Sequence, residues 1–367
     1  MGLAGEASKP PIRRPMDRVP NAARAEGEPR PEISILLPTC DRSALLERCL
    51  DALLRQRTTR TFEVIVIDNA THSGHASESV TRFPRVRLIT EPRRGLSYAR
   101  NAGIRAARGE IVAFTDDDTQ AAPDWLENLV APFFARAEVA SVTGQTLPLK
   151  LETEAERLFE AYGGLGCGKD PAEFNFGWLS SKVWRLPLWQ IGTTANAAFR
   201  ASVFRHPAVG LMEERLGAGS PVGAWEDLYL FYRILRARYV IVYQPSAKVR
   251  HAHRQNLTEL SEQLQAYRRG EVAFCLLSLK REREWRALLH LVLWIPYWRA
   301  TQLFGELLRR VHGQKLFRLP MLLREWCAYL QGPPALFLSH RRVQRWASEP
   351  PGEVKLAERV FGPPEDV

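Results

Sequence analysis

From residue 33 to about 146, short runs of β-branched and aliphatic residues alternate with longer segments whose apolar positions recur at helical spacing. Ile33–Thr39, Phe62–Asn69, Val86–Thr90, Glu110–Thr115 and Val139–Thr146 predict strands, and Ala44–Gln56, Ser97–Arg108 and Pro123–Ala135 predict helices between them. Strand, helix, strand repeated in this way predicts an α/β, Rossmann-like domain with a mostly parallel sheet flanked by helices. In open sheets of this kind ligands bind beyond the carboxyl ends of the strands. Pro38–Arg42, Asp68–Ala70 and Thr115–Thr119 therefore become the first places to look for chemistry.

Residues 150–225 lose this regularity and are rich in Gly and Trp, as expected of long functional loops; Gly217–Gly223 has the composition of a lid. A helix Trp225–Arg238 and a strand Tyr239–Tyr243 are expected next. From Asn256 to about Arg345 the chain reads as helical, basic and aromatic. The expected organisation is a disordered basic, Pro-rich tail over 1–31, a catalytic domain over 32–255, a helical C-terminal region over 256–345 and a Pro-rich tail over 346–367.

Composition adds two points. The net charge of +10 calls for an anionic partner such as nucleotide phosphates, nucleic acid or an acidic membrane surface. Five cysteines, with no CxxC or Cys/His spacing, argue against a disulfide framework or a zinc site and fit a reducing, cytoplasmic setting. No signal peptide is read at the N-terminus, and the longest apolar stretch, Ala287 to Phe304, is interrupted by His290, Pro296 and Arg299.

Four motifs carry candidate chemistry. Phe114-Thr115-Asp116-Asp117-Asp118 closes an apolar strand, and three adjacent carboxylates repel one another unless a cation neutralises them. Mg²⁺ or Mn²⁺, shared between carboxylates and substrate phosphates, is the expected cation. Pro38, Thr39, Asp41 and Arg42 follow the first strand, where Thr39 and Asp41 offer oxygens to a base or ribose and Arg42 a guanidinium to phosphate. Asp68 closes the second strand and is either a ribose- or base-binding acid or a turn cap. Arg94 and Gly95 precede a helix carrying Arg100 and Asn101, a plausible anion cradle; Ser97 as a plain N-cap explains part of the same pattern.

In this order and spacing the motifs resemble the family 2 glycosyltransferases of the GT-A fold over roughly residues 32–255. Leu37 to Arg42 is similar to the family's opening "V-I-P-T-Y-N-R", Gly95 to Gly103 matches "G-x-x-x-A-R-N-x-G", and Asp116–Asp118 matches the metal-binding D-x-D. The resemblance implies donor-nucleotide contacts from Asp68, Asp116 and Asp117 and metal ligation by Asp118 and Asp116, completed by His251 of Val249-Arg250-His251-Ala252-His253. Thr194 and Asn196 are implied near donor sugar and acceptor, with Trp225 beside them. Trp225-Glu226-Asp227 resembles the element that opens a helix under the acceptor, with Asp227 as catalytic base and Glu226 orienting it.

The implied activity is an inverting transfer of a sugar from a nucleotide-diphosphate sugar, with UDP the favoured nucleotide, to the hydroxyl of a sugar or lipid-linked acceptor in bacterial cell-envelope or surface polysaccharide synthesis. A sugar-phosphate nucleotidyltransferase would carry a Gly-rich loop after the first strand, where Pro38–Arg42 has no glycine; a dinucleotide oxidoreductase would carry G-x-G-x-x-G. A non-catalytic scaffold of the same fold has no need of Asp116, Asp118 and Asp227 together. The segment 280–345 holds thirteen Lys/Arg against four Glu among tryptophans, which fits peripheral contact with the inner face of the plasma membrane, packing on the catalytic core, or a homodimer contact. No nucleic-acid-binding module is present to claim the charge.

Overall fold

A computed structural model describes residues 30–69, 75–312 and 318–348. The expected tails over 1–31 and 346–367 fall almost wholly outside the described residues. Nine strands form one sheet: β1 (Ile33–Thr39), β2 (Phe62–Asp68), β3 (Val86–Thr90), β4 (Ile111–Thr115), β5 (Thr119–Ala121), β6 (Val139–Pro148), β7 (Ala172–Phe174), β8 (Asn196–Arg200) and β9 (Val240–His251). The strand order is β3-β2-β1-β4-β8-β6-β9-β5, with β7 also paired to β9. Strands β1, β2, β3, β4, β6 and β9 run in one direction, while β8 is inserted antiparallel between β4 and β6 and the two three-residue strands run antiparallel to β9. The α/β class and the mostly parallel sheet expected from the sequence are both present, as are the C-terminal helices.

The period-two alternation of strand side chains divides the core into two layers. Ile33, Ile35 and Leu37 of β1, with Val64 and Val66 of β2, face Leu46, Cys49, Leu50 and Leu53 of the helix Ser43–Leu54 and the apolar side of the helix Trp125–Ala135. Leu36, Ile65, Ile67, Val112 and Phe114 point the other way, toward the helices Leu96–Ala106 and Glu226–Arg236. A strand buried on both faces has no polar side to show, which is why β1 is apolar from Ile33 to Pro38 save for Ser34, whose hydroxyl donates to Glu63.

Two helices beyond the sheet bear on the site. Leu257–Glu282, capped by the Asn256 side chain accepting the Glu259 N–H, packs along Leu319–Ser348. Their contact closes at Gly332, where a Cβ would lie 2.6 Å from the Val272 Cβ. The far end of Leu319–Ser348 returns to the sheet edge: Arg342 donates to the Gly219 carbonyl at 2.7 Å and lies over the Trp346 ring, which meets Tyr98 edge-on at 5.0 Å.

Candidate functional site

The ends of β1 and β4 open into a cleft of about 1210 Å³ that also takes in the start of the helix Glu226–Arg236 and one side of the helix Leu257–Glu282. Its centre is the acidic turn after β4. Asp117 accepts the Thr39 hydroxyl at 2.8 Å and Arg42 Nη1 at 3.3 Å, while the same nitrogen donates to Asp118 at 2.7 Å. Asp116 accepts Arg100 Nη2 at 2.7 Å, and Arg100, almost wholly buried, sends its Nη1 to Glu226 at 3.0 Å. One guanidinium thus ties the acidic turn to the helix that follows Trp225.

His251 reaches this turn through the sheet. Antiparallel pairing of β5 with β9 sets Thr119 opposite His251, and the Ala252 N–H donates to the Asp118 carbonyl at 2.9 Å. His251 Nε2 comes to 3.3 Å from Asp118 Oδ1. That oxygen and His251 Nδ1 are both buried without a hydrogen-bond partner, an arrangement costly in a finished core. Ligand atoms of Asp116, Asp118 and His251 lie within 4.8 Å of one another. Two carboxylates and an imidazole converging on unsatisfied buried oxygen and nitrogen fit a small divalent cation.

The electrostatics separate the acids. Burial, and then the neighbouring Asp118, push the Asp117 carboxyl up to about 6. Burial would also raise Asp118, but His251, Arg42 and Arg254 outweigh it and hold the group below the ordinary range. Glu226 is raised to about 7 by burial and by the Asp227 charge, against the pull of Arg100. Asp227 is raised as well, first by burial, with Arg100 and the backbone N–H groups of Leu228 and Thr194 opposing. The Leu228 N–H donates to Asp227 Oδ1 at 2.8 Å, as the first turn of a helix invites.

Trp225 aims this pair. It takes a left-handed backbone (φ 74, ψ 10) immediately before the helix, a conformation that costs a non-glycine residue about 1 kcal/mol or more. Its ring packs on Phe274 at 5.1 Å, and a Cβ at Gly270 would strike it. Gly270 is therefore the residue that lets the helix Leu257–Glu282 press the Trp225 turn into place.

A second edge of the cleft forms around Gly95. Its φ of 148 excludes other side chains, its N–H donates to Asn69 Oδ1 at 2.7 Å, and the Leu96 N–H donates to the Ala218 carbonyl at 2.9 Å. Gly95, not Ser97, occupies the cap position; the Ser97 hydroxyl donates instead to the Leu216 carbonyl at 2.9 Å.

Pro38, Thr39, Arg42, Arg94, Gly95, Arg100, Asp116, Asp117, Asp118, Thr194, Trp225, Glu226, Asp227 and His251 all line the cleft, and four other expected residues do not. Asn101 is a fastener: its amide donates to the Met212 carbonyl and accepts the Met212 N–H, pinning the loop that precedes Gly217. Asn196 is another, accepting Trp125 Nε1 and donating to the Gln145 and Ala247 carbonyls inside the sheet. Asp41 sits exposed in a left-handed turn (φ 57), and Asp68 is buried at the end of β2, paired in register with Thr39, outside the cleft lining. Tyr162, Arg254 and Glu271 line the cleft without having been singled out in the sequence, and Asn69, from the Asp68–Ala70 window, lines it as well. The helical pattern from Asn256 onward was the only signal available for Glu271.

Residues 34–206 match the family model described as Glycosyl transferase family 2. The chain is 41% identical over 91 residues to the uncharacterized glycosyltransferase EpsJ of Bacillus subtilis, covering 24% of this chain and 26% of that one. It is 32% identical over 140 residues to the succinoglycan biosynthesis protein ExoO of Rhizobium meliloti, covering 35% of this chain and 39% of the other. The chain thus spans only about a quarter to two fifths of the length of these relatives. Among solved structures it is similar to the mannosyltransferase PcManGT of Pyrobaculum calidifontis in complex with GDP-Man and Mn²⁺ (TM-score 0.49, 21% identity, 89% of this chain and 78% of that one). S. aureus TarS 1–349 in complex with UDP-GlcNAc is similar at TM-score 0.49 and 16% identity, over 68% of this chain and 66% of the other. With the family match running from β1 through the acidic turn to β8, residues 34–206 of this chain form a family 2 glycosyltransferase region.

Proposed function

We propose that the chain transfers a sugar from a nucleotide-diphosphate sugar, with UDP the favoured nucleotide, to an acceptor hydroxyl with inversion at the anomeric carbon, in bacterial cell-envelope or surface polysaccharide synthesis. The observation that carries this reading is one cleft in which an acidic turn with an unsatisfied oxygen and a raised carboxylate pair are bridged by Arg100. Asp116, Asp118 and His251 would hold Mg²⁺ or Mn²⁺, which when bound offsets the charge that develops on the leaving diphosphate.

The remaining work falls to the chain's own residues. Arg94 and the Gly95 turn border the space for the nucleotide, and Thr39 and Arg42 fix the orientation of Asp117 and Asp118. Asp227 takes the proton of the acceptor hydroxyl as that oxygen forms its bond to the anomeric carbon; the bond from that carbon to the diphosphate breaks, and the nucleoside diphosphate leaves with the electron pair. A carboxylate raised by burial is a better base for that proton than an ordinary one. Glu226, held by Arg100, orients its neighbour.

The helices after residue 280 support peripheral membrane contact. Tyr297, Phe304, Val311 and Leu330 are all more than half exposed, yet among the described residues no helix is long and apolar enough to cross a membrane. Calorimetric titration of UDP, GDP and dTDP, with and without Mn²⁺, tests the donor assignment. Mn²⁺-dependent binding of one nucleotide by the native chain, lost in Asp118→Ala, is the expected result. Absence of binding by all three would overturn the transferase reading in favour of a non-catalytic scaffold.

A further inference from the structure

Beside the cleft lies a second, shallower groove of about 460 Å³, lined by Lys182, Val183, Trp184, Arg185, Leu293 and Tyr297 among others. Its two walls come from distant parts of the chain and are firmly joined. The Leu186 N–H donates to His290 Nδ1 at 3.2 Å, and Arg286 donates to the Leu179 carbonyl at 2.6 Å. His290 is in turn paired with Glu271 at 2.9 Å, and Glu271 lines the main cleft. The groove is therefore a fixed part of the frame that builds the cleft.

Three observations say what it is shaped to take. First, its lining is aromatic and aliphatic yet left in solvent: Trp184 is 62% and Tyr297 61% exposed, where monomers rarely leave large apolar side chains side by side. Second, its only charged lining residues are the cations Lys182 and Arg185, the latter with its guanidinium 4.8 Å from the Trp294 ring centroid. Third, Arg185 and Trp294 line both the groove and the cleft, so the two spaces meet at a cation on an aromatic face. An apolar trough leading from the exposed helix faces to a cation at the mouth of a polar cleft is complementary to an amphiphile with an anionic head.

Building on the transferase reading, we propose that the groove holds the apolar chain of a lipid-linked acceptor whose phosphate-bearing head lies at Arg185, directing the acceptor's reactive end into the cleft. The acceptor is thereby a membrane lipid carrying phosphate, not a free sugar, and Arg185 is the residue that registers its head.

The test uses the full chain and a farnesyl monophosphate whose apolar end carries a diazirine, below its critical micelle concentration. Photolabelling is expected on peptides containing 181–185 and 291–298, competed by farnesyl monophosphate but neither by inorganic phosphate nor by farnesol at equal concentration. Trp184→Glu and Tyr297→Glu, both at exposed positions, should each cut labelling about tenfold, Trp184→Phe should restore it, and nucleotide binding and the thermal melt should stay unchanged in all three. Arg185→Gln should abolish the preference for the phosphate over the alcohol. Labelling spread evenly to Leu330 and Phe337, or indifferent to the Glu substitutions, would overturn the groove as a site and leave surface adsorption only. Groove labelling in a chain that binds no nucleotide would overturn the transferase reading and uphold the lipid site.

Discussion

Two of the buried ionic clusters among the described residues are built to opposite specifications. In the cleft, five carboxylates (Asp116, Asp117, Asp118, Glu226 and Asp227) stand against Arg42, Arg100, Arg254 and His251. At its helical wall, between the helices Leu257–Glu282, Ile295–Val311 and Leu319–Ser348, Glu271 and Glu325 stand against Arg268, Arg299 and His290, with the hydroxyls of Tyr162 and Tyr329 bonded among them. The second cluster is close to balanced. Burial would raise Glu271, but the His290 hydrogen bond and the His290, Arg268 and Arg299 charges bring it down to about 2. The first cluster is short of cations, and its acids are pushed in different directions. A balanced buried network fastens helices together; an unbalanced one waits for a charge from outside.

The comparison can be broken most severely at the unbalanced end. Asp227→Asn should lower sugar transfer by about 10²–10⁴-fold while leaving nucleotide binding intact, as measured by turnover and calorimetry on the same preparation. Asp118→Ala should remove Mn²⁺-dependent nucleotide binding without lowering the midpoint of thermal unfolding, because it relieves repulsion with Asp117. At the balanced end the outcome should reverse. Arg299→Met leaves Glu325 short of a partner in a nearly sealed site, and chemical denaturation should show a loss of about 3–5 kcal/mol.

A finer distinction lies in pH. A carboxyl raised from 4.5 to about 7 on folding keeps a proton that the unfolded chain gives up, so its contribution to stability is full below pH 4.5 and is lost as pH rises to 7. Glu226→Gln should flatten part of that decline in unfolding midpoint, and Asp117, raised to about 6, should carry the rest. The smallest expected effect is at the rim. Arg342→Ala releases one bond to the Gly219 carbonyl and should raise the KM for donor a few-fold with kcat unchanged.

Much of this was legible in the chain, for reasons that also mark where reading stops. Strand β1 and its neighbour β2 announced themselves because burial on both faces keeps polar positions few: Ser34 alone interrupts Ile33–Pro38, and Val64–Ile67 is unbroken. The acidic turn stood out because three adjacent carboxylates at the end of an apolar strand repel one another unless a cation neutralises them. Asn101 and Asn196 were misplaced because they adjoin true lining residues, Arg100 and Ala195, and consecutive side chains on a helix or strand point in different directions. The short strands β5 and β7, three residues each, are too brief to show a period, so the pairing that brings His251 to the acidic turn left no local trace. Strand β8 hid in the alanine-rich run Asn196–Arg200, and β9 continues to His251, well past Tyr243, through Lys248 and Arg250, whose charges interrupt the expected pattern.

The return of Arg342 and Trp346 to Gly219 and Tyr98 bears on how the protein is made. Tyr98 and Trp346 are 248 positions apart in the chain, so the edge of the cleft at Gly95 and Gly219 cannot be finished until residue 346 has left the ribosome. At about 5–20 residues per second, that interval is roughly 10–50 s. Over the last part of that time, once β9 has ended at His251, the strands of the sheet are all made while the mouth of the cleft still lacks its last wall. The order of synthesis itself thus leaves the cleft unfinished, and its closure becomes a clock for the arrival of the helix Leu319–Ser348.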